Sequence, residues 1–291
     1  MPQVVSRKGQ VVEPPPLPGP VSDLLACAAD QSLCRRGLGA VLQQDPLLAR
    51  RFLRFAQSPI TNDVSPMPSM GVTVSALDTE QLRHLSLAAA IVHLLPAGRG
   101  AASFDRYQFW EHSVATGVFA RMLVAVSNKP LAISPSMAFS AGLLHDLGRL
   151  ILAVYFPREF SAVVHYQQRH DTWIRDAEAA VLGYDHCLVG ANAARAWGLP
   201  GDLVTAIAGH HQPDRHADDQ AAALVGVVHV ADILARGMQI GYPGDDTIPL
   251  LSEQTLRRLG LNWQSLRQCL DQAMPLMELA RKLVRVAMQP D

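Results

Sequence analysis

The chain has 291 residues, 49% hydrophobic and 18% charged, with a net charge of −1, which suits one large or two modest domains around a sizeable core. Near-neutral charge and a pI near 6.8 exclude a nucleic-acid binder that relies on bulk electrostatics, and Arg50, Arg51 and Arg54 read as a solvated helix face. Cys27, Cys34, Cys187 and Cys269 form no CxxC pair, the N-terminus lacks a signal-peptide core, and the most apolar run, 85–96, is too short for a bilayer; the expectation is a reducing, cytoplasmic setting without a membrane span.

Residues 1–20 carry Pro14, Pro15, Pro16, Pro18 and Pro20 and predict an extended, poorly ordered tail. Helical periodicity begins near residue 21. Asp45 followed by Pro46 is a start signal, after which Leu48, Phe52 and Phe55 form one apolar stripe. Residues 59–77 read as a loop, and Asp78 with Gln81 resembles a capping pair opening the next helix. Further helices are expected around 107–126, 136–154, 158–169, 174–182, 186–197, 201–211 and 219–237. Two or three more fill 250–289, with Pro275 a kink or restart. No run of alternating strands, internal repeat or heptad seam occurs, so the fold class is all-α.

The stretch GLLHDLGRLIL, 142–152, places His145 and Asp146 side by side in an apolar run. Burying either group unpaired costs several kcal/mol, so each needs a partner. Other polar residues stand in similar apolar company: His112, His186, His210, His211 and Asp232. Side chains converging from several helices are how a metal centre is built in a bundle, and imidazole with carboxylate suits Fe, Mn or Zn. Taken singly, each histidine reads as an ordinary core or helix-end residue, and spacing alone leaves the two readings level. His84, His93, His165, His170 and His216 are assigned ordinary roles, while His229 is left open as a neighbour supporting Asp232. Arg149 shares a face with His145 and Asp146 and is expected to reach the mouth of the site, where a phosphate would sit.

In chain order, QQDPLLARRFLRFAQSP, FWEHSVATG, AGLLHDLGRLIL, HCLVGANAARAWGLP and AIAGHH resemble the HD-related output domain (HDOD) of bacterial signalling proteins. That family is related to the HD and HD-GYP metal-dependent phosphohydrolases. The resemblance implies an HD-like helical bundle with a tail at 1–20, an HDOD domain at 21–240 (an N-terminal helical part at 21–100 and an HD-like core at 101–240) and a C-terminal helical extension at 241–291. It also implies a metal set of His112, His145, Asp146 and Asp232, joined by His186, His210 and His211 in the binuclear arrangement. One or two divalent ions follow as the implied cofactor. Arg149 stands where the HD-GYP branch has lysine, and Gly241-Tyr242-Pro243 falls so far beyond His211 that it reads as a coincidental turn.

Two functions follow. One is a regulatory signal-transduction module that binds another signalling protein or a small nucleotide ligand, with no DNA-binding feature. The other is a phosphohydrolase acting on a nucleotide or cyclic dinucleotide, in which Asp146 orients water and Arg149 contacts phosphate. Beyond Arg149 no cationic substrate-binding group is evident, which favours the regulatory function. No pattern in the sequence sets an oligomeric state.

Overall fold

Helix starts written into the sequence take their expected form in the computed structural model, which describes residues 4–5, 11–12, 16–17, 19–29, 31–58, 69–93, 100–215 and 220–288. The Asp45 carboxylate accepts from the Leu48 amide at 2.9 Å, opening α3 (Pro46–Ala56). Asp78 and Gln81 exchange hydrogen bonds of 3.0 and 2.7 Å at the start of α5 (Thr79–His93). The fold is all-α. Its only described strands are the two-residue β1 (Val4–Val5) and β2 (Val11–Val12), paired antiparallel within the lead predicted to be extended. Most of the proline-rich segment lies outside the described residues.

An N-terminal group of α1 (Gly19–Ala29), α2 (Gln31–Gln44), α3 and the short α4 (Met70–Ala76) gathers about α5. Leu48, Phe52 and Phe55 of α3 are buried as expected, each aromatic contributing about 1.5–3 kcal/mol. Arg51 departs from the solvated-face expectation: it is buried and donates to the Val92 carbonyl. Helix α4 was expected to be loop; Ser69 caps it by accepting from the Val72 amide. Residues 59–68 of that expected loop lie outside the described residues.

The second group centres on α6 (Arg106–Ala125), which packs against α7 (Pro135–Leu144), α13 (Gln220–Gly237) and α15 (Trp263–Met288). Helix α8 (Leu147–Tyr155) lies on α11 (His186–Ala196), and α12 (Gly201–Gly209) bridges α11, α13 and α7. Helices α9 (Pro157–His170) and α10 (Ile174–Leu182) pack together beside α8, and α14 (Glu253–Arg258) leans on α13. The extension therefore belongs to the same core, since α15 covers α6. Helix α15 also runs through Pro275 without ending. The stretch Pro135–Tyr155 is long and apolar enough to cross a bilayer, but it is a core segment, 94% buried within the bundle.

Candidate metal centre

The sequence predicts one helix over 136–154, whereas the structure breaks it at the His145–Asp146 doublet. Neither Gly nor Pro stands at the break, so the apolar run gave no signal of it. Asp146 occupies the cap position of α8 with φ −95° and ψ 19°, yet its side chain caps nothing. Its carboxylate is thereby released from the helix end and turned into the core, where it is fully buried.

Two close helix crossings set the frame around the doublet. At the α6–α7 crossing, a methyl on Gly142 would lie 2.7 Å from the Thr116 carbonyl oxygen and 2.8 Å from Gly117 Cα. At the α8–α11 crossing, a methyl on Gly148 would overlap the His186 carbonyl, and one on Gly190 would lie 2.8 Å from the Gly148 nitrogen. Only residues without a side chain let these backbones meet. The first crossing sets His112 of α6 beside His145; the second sets Asp146 beside His186.

All seven predicted residues come together, in two adjoining groups. His112 Nε2 is 3.0 Å from Asp232 Oδ1, and His145 Nε2 is 3.8 Å from that same oxygen and 3.4 Å from Asp146 Oδ2. The other Asp146 oxygen faces His186 Nε2 at 3.2 Å and His210 Nε2 at 3.7 Å. His211 joins the second group, its Nε2 3.2 Å from that of His186. Asp146 thus stands between the groups with one oxygen turned to each.

The outer edges of three rings are tied down. His145 Nδ1 donates to the Gly142 carbonyl at 2.7 Å, His210 Nδ1 to Ile207 at 2.9 Å, and His186 Nδ1 pairs with Glu178 Oε2 at 2.6 Å. Such outer bonds fix the ring, and in the neutral imidazole they leave Nε2 with its lone pair pointing inward. Among the inward atoms, His112 Nε2, His145 Nε2, His210 Nε2 and both Asp146 oxygens are buried without a hydrogen-bond partner. Orphaned polar atoms are costly in a core unless something fills the space between them, so the donor set fits a divalent ion. Two clusters among the described residues could hold a metal: His112 with His145 and Asp146, and His186 with Cys187, His210 and His211.

Several participants were not foreseen. Glu178, fully buried on α10, accepts from the His186 amide at 2.8 Å as well as facing its ring. Burial alone would lower the His186 pKa; Glu178 carries it well above the ordinary value. Cys187 Sγ lies 4.0 Å from His210 Nδ1, on the edge already donated to Ile207, so it backs the ring from outside the inward nitrogens. His229 supports His210 rather than Asp232, donating from Nδ1 to the His210 carbonyl at 2.8 Å. His84, His93 and His170 contact Glu80, Asp45 and Tyr166, away from the centre; His216 lies outside the described residues.

Two arginines compensate the carboxylates. Burial would raise the Asp146 carboxyl, but Arg149 and then His145 hold it well below the usual range. Burial opposes Asp232 likewise, and Arg236 with His112 holds it low. Arg149 is not at a solvent-facing mouth. It is fully buried, with Nη1 2.9 Å from Asp146 Oδ2 but misaligned for a hydrogen bond.

The segment after α13 closes over this region, and Gly241-Tyr242-Pro243 has a structural task after all. The Tyr242 amide donates to the Gln108 carbonyl at 3.0 Å, one turn before His112. Gly241 takes φ +68°, and a methyl there would overlap the Gln108 carbonyl and the His112 nitrogen. Gly241→Ala is expected to lift this segment off α6 and cost about 1–3 kcal/mol, from overpacking and backbone strain together. A thermal melt unchanged from wild type would contradict that packing.

An HDOD domain family model matches residues 15–213. An HDOD domain protein of unknown function from Geobacter sulfurreducens is 25% identical, with a TM-score of 0.74 over 95% of this chain and 94% of its own. A presumed phosphohydrolase from Shewanella amazonensis shares the fold at 22% identity, with a TM-score of 0.73 over 94% of this chain and 95% of its own. A presumed signal transduction protein from Marinobacter aquaeolei does so at 20% identity and 0.73, over 94% of this chain and 60% of its own. No curated protein matches the chain. Asp232 and Arg236 lie beyond the end of the family match.

Proposed function

Because the chain belongs to the HDOD domain family, we propose that it is a cytoplasmic signalling module that answers to another signalling protein or a small nucleotide ligand and holds one or two divalent ions, Fe, Mn or Zn, in its core. The observation that carries the metal reading is the pair of inward, hydrogen-bond-free Nε2 atoms of His145 and His210 around Asp146, each ring held from outside by a main-chain carbonyl. His112, His145, Asp146 and Asp232 would hold one ion; His186, His210 and His211, sharing Asp146, would hold a second. In this reading the family unit spans 21–240, and 241–291 is an extension packed on it.

A phosphohydrolase is the second reading, favoured by the completeness of both ligand groups. A bound divalent ion would supply Lewis acidity toward a phosphoryl oxygen and lower the pKa of water. Asp146 would orient that water, and Arg149 would balance charge on the phosphate. Against it stands the pairing of Arg149 with Asp146, under a covering segment in which Gly244 lies directly over the guanidinium. A substrate must displace both, so the regulatory reading is preferred.

Elemental analysis of untagged protein tests the shared premise. We expect about one to two equivalents of metal, lost in the His145→Ala/Asp146→Ala double variant. A metal-free wild type that reloads with none of the three ions would end both metal readings. Turnover of nucleotide phosphodiesters by loaded protein, absent from the double variant, would replace the regulatory reading with the enzymatic one.

A further inference from the structure

Arg236 and Asp245 are buried and charged, and neither belongs to the ligand set. Both oxygens of Asp232 accept from Arg236 Nε, at 2.9 and 3.1 Å. The same guanidinium reaches the other way, with Nη1 donating to Asp245 Oδ1 at 3.0 Å and to the Thr247 carbonyl at 2.9 Å. Asp245 in turn accepts from the Thr247 amide at 2.9 Å and from the Ile174 amide, at the start of α10, at 3.2 Å. An unbroken line of charge-assisted bonds therefore runs from Asp232, whose Oδ1 lies 3.0 Å from His112 Nε2, through Arg236 and Asp245 into the 241–249 segment.

That segment walls a cleft of about 610 Å³ between itself and the start of α6. Gln108, Arg236, Tyr242, Asp245, Asp246 and Ile248 are on its lining. Its volume is that of a small-ligand site, and it meets solvent where the metal centre does not.

We propose that Arg236 and Asp245 are positioning residues that couple occupancy of the metal centre to the 241–249 segment, and so to the shape of the cleft. This rests on the metal-holding reading above. The physical cause is competition for one carboxylate. An ion drawing on Asp232 weakens that group's hold on Arg236 and repels the guanidinium, which then leans harder on Asp245 and the Thr247 carbonyl. The segment tightens when metal binds. By reciprocity, whatever occupies the cleft and fixes the segment raises metal affinity by the same factor.

The test is hydrogen exchange on the full chain with and without saturating Mn²⁺, for wild type, Arg236→Gln and Asp245→Asn. In wild type, Mn²⁺ is expected to slow exchange several-fold at the Thr247 amide and its neighbours as well as around His145. In each variant the slowing around His145 persists at saturation, and the response at Thr247 is lost. A variant that merely loosens the fold would not separate those two regions. The wild-type comparison stands by itself where a variant fails to fold. Mn²⁺ binding that leaves the 241–249 amides unchanged or faster in wild type, or still responsive in Arg236→Gln, overturns the coupling and leaves the metal reading intact. A wild type that binds no Mn²⁺, Fe²⁺ or Zn²⁺ overturns both.

Discussion

Gly148→Ala is expected to be among the most damaging single substitutions in the chain, costing roughly 3 kcal/mol or more, or preventing folding outright. The added methyl overlaps a backbone carbonyl, that of His186, and lies 2.5 Å from the Gly190 amide nitrogen. No side-chain rotamer can relieve a collision between backbones, so α8 must move away from α11. That movement also separates Asp146 from His186, and so pulls the second candidate ligand group apart. Gly39→Ala on α2 is the control, since nothing lies within 4 Å of the added methyl. There the better helix propensity of alanine should leave stability unchanged or raise it by up to about 1 kcal/mol. Urea denaturation of the three proteins decides it. Similar midpoints for Gly148→Ala and wild type would mean that the two backbones do not meet at this distance.

Removing the Asp146 carboxylate has a comparable cost for a different reason. Asp146→Ala strands the fully buried Arg149 guanidinium without its counter-charge, a loss of about 3–5 kcal/mol when one member of a buried pair is deleted. The Asp146→Leu/Arg149→Met double variant removes both charges and should recover most of that stability. Additive single and double effects would argue against the pairing. The pH dependence has a definite sign. The Asp146 carboxyl lies well below its ordinary value of 3.8 in the folded chain, so its contribution is fully present above that value. As pH falls below 3.8 toward the folded-state pKa, the contribution is lost, and Asp232 behaves in the same way. Metal-free protein should therefore hold its stability against these two groups at mildly acidic pH and lose it below about pH 4.

The helices were legible because their signals are local. Asp45-Pro46 and the Asp78–Gln81 pair act within one turn and need nothing from the rest of the chain. The break at His145–Asp146 was not legible, because packing against α6 and α11 sets it rather than any residue at the break. All seven candidate ligands stood out as polar groups in apolar segments, and they do converge. Glu178 did not stand out, since one glutamate on a helix carries no sign of its distant partner. Arg236 could have been noticed one turn after Asp232, but its second attachment, to Asp245, depends on how the following segment folds back. Arg149 was placed on the correct face and wrongly near the solvent, because a helical face says nothing of what lies above it.

The Gly117–Gly142 and Gly148–Gly190 crossings carry an evolutionary consequence. They hold the frame of the centre through main chain alone, so the scaffold does not require the chemistry mounted on it. A descendant that exchanged Asp146 and Arg149 together for apolar residues would forfeit the carboxylate between the two candidate ligand groups and keep its shape. One that gained a methyl at either crossing would forfeit the shape itself. Selection should therefore be stricter on these silent glycines than on the histidines beside them, and a lineage can exchange those histidines while retaining the fold as a surface for recognition.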